Sequence, residues 1–119
     1  VLALGCWSAA ADWVAADDPP PYPGIELLPM PGHLAYGEQW TVAGNSTGIP
    51  DGTAVTIYIS NTFWVNYNQI TNTRTVQTTI QGGVFSDVMP FTFYGPGSYL
   101  VQATCMQFQD TEQGSVSGP

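Results

Sequence analysis

Between residues 53 and 60 apolar and polar positions alternate, with Val55, Ile57 and Ile59 facing one way and Thr56 and Tyr58 the other, directly after the turn pair Asp51-Gly52. A period of two is the signature of a half-buried β-strand. Similar runs recur along the chain. Residues 25–30 predict a first strand, with Pro29 and Pro31 suiting an edge. Residues 38–44 predict a second, with Trp40 and Val42 on one face and Thr41 and Ala43 on the other. Strands are further predicted over 63–67, over the Thr-rich 73–81, and over 84–94 after Gly82-Gly83, with an interruption at Pro90. The last is 98–108, with Tyr99, Val101, Ala103 and Cys105 on one side, whereas 111–119 is small and polar and predicts no element.

About seven short strands, turns every eight to twelve residues or so, and no helix in the body predict an all-β, antiparallel sandwich, with a closed barrel as the competing architecture. No repeat of solenoid or propeller length occurs.

The opening stretch, VLALGCWSAAADWVAADD, has a different character, rich in Ala and Trp. Residues 1–7 suit an extended segment with Leu2, Leu4 and Cys6 on one side, and 8–17 suit a short helix capped by Ser8, with Trp7, Ala10, Ala11 and Val14 on one face. Four prolines at positions 19, 20, 21 and 23 then impose a polyproline-type spacer. The expected organisation is an N-terminal arm and spacer (1–24), a β-sandwich body (25–110) and a polar tail (111–119). Because the chain starts at Val1, removal of an upstream export signal is expected. The run VLAL is too short to span a bilayer, and retention of the residues before Cys6 argues against lipid attachment there.

Nine carboxylates face one cation, Arg74, for a formal charge of −8. Such a chain lacks the cations that bind phosphates, which excludes nucleic acid and anionic membrane surfaces as partners. Disorder, the other reading of one-signed charge, is opposed by a 13% aromatic content. Two cysteines, Cys6 and Cys105, suit one disulfide in an exported chain; two separate buried thiols, or a bond between subunits, are the alternatives.

Four segments of the body carry a resemblance: GEQWTVAG (37–44), PDGTAVTIYI (50–59), GGVFSDV (82–88) and GPGSYLVQATC (95–105). Together they resemble the immunoglobulin-like and fibronectin-like domains of prokaryotic cell-surface proteins, which implies an immunoglobulin-like sandwich of about seven strands. That architecture hosts adhesion, assembly, sugar binding and plain spacing, so the likeness points to a fold class more than to a function. The arm is foreign to such domains. It looks more like the extension with which pilus and filament subunits complete a neighbour's sheet.

Residues 44–48, GNSTG, match both the G-x-S-x-G nucleophile elbow, with Ser46 attacking, and the N-x-T glycan acceptor, at Asn45. The elbow requires a helix after the serine and a later histidine, but a Pro-Asp-Gly turn follows and the sole histidine, His33, comes earlier. A surface loop, either glycosylated at Asn45 or a plain turn, is expected instead. The carboxylates Asp17, Asp18, Asp51, Asp87, Asp110 and Glu112 are too scattered for a calcium loop, and zinc lacks ligands; no cofactor is expected. Trp64 and Tyr67, among amides in NTFWVNYNQ, are candidates for a binding face or for subunit anchors.

These features lead to the expectation of a non-enzymatic structural subunit of an extracellular filament, pilus or sheath. Its head-to-tail self-assembly would run through the arm residues Val1, Leu2, Leu4, Trp7, Trp13 and Val14. A carbohydrate-binding or adhesive surface module is the alternative.

Overall fold

The computed structural model describes residues 22–119, which form ten strands and no helix. The strands are β1 (Gly24–Leu27), β2 (His33–Leu34), β3 (Glu38–Trp40), β4 (Ala43–Thr47), β5 (Ala54–Val65), β6 (Asn68–Thr79), β7 (Val84–Ser86), β8 (Phe91–Phe93), β9 (Gly97–Cys105) and β10 (Phe108–Val116). The fold is therefore all-β as expected, with ten strands instead of about seven. Its sheets are mixed, since β2 runs parallel to β10 while the other pairs are antiparallel. The predicted arm, its helix and Cys6 lie outside the described residues.

Five strands form one sheet in the order β2-β10-β9-β5-β6, and three form another in the order β1-β4-β7. Neither order closes on itself, so the barrel alternative is not realised. A two-stranded pair, β3-β8, prolongs the β4-β7 ladder past a bend, where the Asp87 N–H donates to Val42 O at 2.8 Å. Leu27 and Phe85 from the three-stranded sheet, with Val42 from the bend before β4, meet Val55, Ile57, Ile59, Tyr99, Val101 and Cys105 from the five-stranded one in a single core. The alternation of β5 explains this placement, because Val55, Ile57, Ile59 and Phe63 all turn to the buried side.

Three sequence expectations are corrected by tight turns that carry no glycine. Residues 63–67 and 73–81 are not separate short strands. They belong to one hairpin of two twelve-residue strands, β5 and β6, paired without a break from Ala54↔Thr79 to Val65↔Asn68. Its two-residue turn has Asn66 and Tyr67 at φ of 50° and 67°, the left-handed pair that a type I′ turn requires. Likewise 98–108 is not one strand: β9 ends at Cys105, Met106 takes a φ of 57°, and β10 starts at Phe108. The polar stretch from Thr111 is therefore no tail up to Val116, but part of a strand between β9 and β2.

Two polar side chains lie in the interior, each fully engaged. Asn61 donates from Nδ2 to Tyr94 O (2.9 Å) and Ser98 O (3.0 Å), and its Oδ1 accepts from the Tyr94 N–H (2.7 Å), which fastens β5 to the loop between β8 and β9. Asp87 pairs with Arg74 and also accepts from the Met89 N–H. Burial raises the Cys105 thiol above its ordinary pKa and, with a smaller contribution from Glu112, does the same for the Tyr99 phenol.

Candidate assembly edge and groove

The two sides of the body are built differently. On the side where β1 approaches β10, the gap is locked by Asp110, whose Oδ2 accepts the Leu27 N–H at 2.7 Å. On the opposite side run the outer strands β6 and β7, each without a further neighbour among the described residues and linked through the Gln81–Val84 bridge. The lock there is Arg74, the one Lys or Arg of the sequence. Its guanidinium leaves β6 to pair with Asp87, donates to Met89 O at 2.7 Å, and lies 5.4 Å over the Phe91 ring. The cation is thus consumed internally, and no free cation remains among the described residues.

An edge strand offers unpaired N–H and C=O groups, and natural sheets blunt such edges with Lys, Pro, bulges or short length. β6 has none of these four; its one guard is the inward-turned charge of Arg74 in the middle of the strand. It is twelve residues long, NQITNTRTVQTT, contains no Pro, Gly or Lys, and pairs with β5 one residue to one without a bulge.

At the β7 end of this edge lies an open groove of about 420 Å³. Leu28, Ala43, Val84 and Val88 give it an apolar wall, and Thr78 and Thr79 of β6 border it. Val88 and its neighbour Met89 are 83% and 62% exposed, large apolar side chains left uncovered in the loop that Arg74 holds. Gly44 is needed beneath the groove, because a Cβ there would collide with the Phe85 ring and with Glu26 O.

Asn45 also lines the groove, which corrects its expected position in a loop. It is an exposed residue in the middle of β4, paired with Glu26 and Val84. A glycan on Asn45 would stand over Val84, so modification and occupation of the groove compete for one surface. Ser46 is likewise mid-strand instead of at an elbow; its Oγ is buried without a partner, while His33 is engaged by Ser115 Oγ at 2.9 Å. Ser46 and His33 are therefore not brought together.

Of the acidic candidates, Asp51, Asp87 and Asp110 have structural duties, and Asp17 and Asp18 lie outside the described residues. Asp51 accepts the Gly82 N–H at 3.0 Å, Asp110 holds β1 and Asp87 holds Arg74. No group of three metal-ligating side chains occurs among the described residues. Cys105 is enclosed in the core, and its expected partner Cys6 lies outside the described residues. So do the arm positions Val1, Leu2, Leu4, Trp7, Trp13 and Val14.

Trp64 and Tyr67 stand together at the tip of the β5–β6 hairpin, 51% and 98% exposed. The edge, the groove and the buried Arg74–Asp87 pair were missed by sequence reasoning. Only the lone Arg in a chain of carboxylates signalled the pair, since a single cation among so many anions has strong reason to be used inside.

No protein-family model matches the sequence, and no curated protein matches it. Among solved structures, the crystal structure of Spo0M, a sporulation control protein from Bacillus subtilis, aligns over 82% of this chain and 50% of its own, with 14% identity and a TM-score of 0.41.

Proposed function

We propose that the chain is a structural subunit of a self-assembling extracellular filament or sheath, in which the N-terminal arm of one copy adds a strand to β6 of the next. The observation that carries this reading is the long β6 edge, free of Lys, Pro and bulges and without a further neighbour among the described residues, beside exposed Leu28, Val84, Val88 and Met89. The arm has the matching character. Residues 1–7, VLALGCW, are apolar and suited to an extended form, and the proline spacer that follows would hold them away from their own body. Strand addition satisfies the backbone groups of both partners, and apolar side chains of the donor cover the groove.

A contact between the arm of one copy and the edge of another is heterologous, so repetition yields a fibre unless the rotation happens to close a ring. In the same reading the two facing sheets, with β2 parallel to the last strand, form a variant of the immunoglobulin-like sandwich.

Size-exclusion chromatography and negative-stain electron microscopy of the full chain test the proposal. Polymers are expected from the full chain, and monomers from a chain lacking residues 1–18 or carrying Val88→Asp. A full chain that stays monomeric, or polymers that persist without the arm, would refute it.

A further inference from the structure

The outer face of the five-stranded sheet is a second surface, separate from the groove. Its register aligns side chains of four strands in rows. Thr71, Thr62, Ser98 and Ser115 make one row, and Thr73, Ser60, Leu100 and Gln113 make the next. Every outward position on β5, β6, β9 and β10 is Thr, Ser, Gln, Ala, Leu, Tyr or Trp, so in a chain of formal charge −8 these strands present no charge on this face. Between the two rows the surface sinks into an open depression of about 440 Å³, lined by Ser60, Thr62, Ser98, Leu100 and Gln113. On the same face of β5, Tyr58 stands on one side of the depression and Trp64 on the other. Their separation is six residues of strand, roughly 20 Å.

We infer that this face is a binding site for a neutral polysaccharide. The hydroxyls and amides can donate and accept, as sugar hydroxyls do. Aromatic side chains at the two ends offer apolar faces with a polar tip, suited to stacking on pyranose rings. The missing charge selects against polyanions, which lack any cation to pair with, and gives a neutral chain no ion to desolvate. A depression set in a twisted sheet suits a flexible glycan chain better than a flat crystalline surface such as ice. The inference does not rest on the assembly reading, because it uses a different face.

Pull-down of the full-length protein with microcrystalline cellulose, chitin and curdlan, together with affinity electrophoresis in mannan and dextran sulfate, tests it. Retention by at least one neutral polymer is expected. Trp64→Ala should weaken it about tenfold, the loss of one aromatic contact, and so should Ser98→Glu, which puts a carboxylate at the rim of the depression. Both positions are exposed, so an unchanged unfolding temperature is expected for each variant. Val88→Asp, on the groove, should leave retention unchanged while abolishing polymers, which separates failure of one site from failure of the other. The inference is overturned by any of three results: no retention by a neutral polymer, retention by dextran sulfate alone, or retention unaffected by both face variants. Thermal hysteresis at the freezing point without glycan binding would also overturn it.

Discussion

Replacing Arg74 by Ala removes the one cation of the chain and leaves the Asp87 carboxylate, only 1% exposed, without its partner. Breaking a buried pair from one side costs about 3–5 kcal/mol, because an uncompensated charge stays in the interior. The Arg74 side chain retains 28% exposure, so water screens part of the interaction and the lower end, about 3 kcal/mol, is expected. Urea unfolding followed by tryptophan fluorescence measures it as a fall in midpoint at unchanged slope. In the double variant Arg74→Ala/Asp87→Asn, the neutral amide should recover at least half of the loss, since the buried charge has gone. A loss below about 1 kcal/mol for Arg74→Ala would class the pair with ordinary surface ion pairs and refute the view that it locks the open side.

Three further outcomes follow from local geometry. Tyr67→Gly should stabilise the hairpin by up to about 1 kcal/mol, because left-handed backbone costs a side-chain-bearing residue roughly 1–2 kcal/mol and glycine returns part of that gain as chain entropy; a lowered melting temperature would contradict this. Gly97→Ala should destabilise by at least about 3 kcal/mol, since the new Cβ meets Thr62 O and the backbone of Phe63 and forces β9 from β5. A near-neutral effect in thermal unfolding would show that the strands yield. Burial, and secondarily Glu112, raise the Tyr99 phenol above its ordinary 10.0, so its contribution is complete below about pH 10 and vanishes as pH rises through the raised folded value. Tyr99→Phe should therefore flatten the alkaline decline in stability while losing the hydrogen bond to Pro31 O; an unchanged alkaline slope would count against it.

Where side chains alternate cleanly the sequence is a good guide, as with Val55, Ile57 and Ile59 behind Asp51-Gly52, or the break at Pro90. It fails where the usual punctuation is missing. Asn66-Tyr67 and Met106-Gln107 reverse the chain without glycine, so two hairpins look like separate or continuous strands. β10 escapes a hydrophobic pattern for a physical reason. Its inward positions include Asp110, which is spent on the Leu27 N–H, and Gly114, whose missing side chain makes room for the Tyr99 ring. β2, two residues long, is set by its parallel contact with β10 and not by any pattern of its own. The groove arises where β1, β4, β7 and the end of β6 converge, which no local periodicity can report.

Hydrogen exchange on β6 is the most direct measurement of the central claim. A synthetic peptide of residues 1–18 is added to a chain that lacks them, and amide protection is followed along the molecule. Protection rising across residues 68–79, with the rest little changed, is the predicted result. Unaltered exchange on that strand at saturating peptide, or protection confined to another surface, would contradict the account.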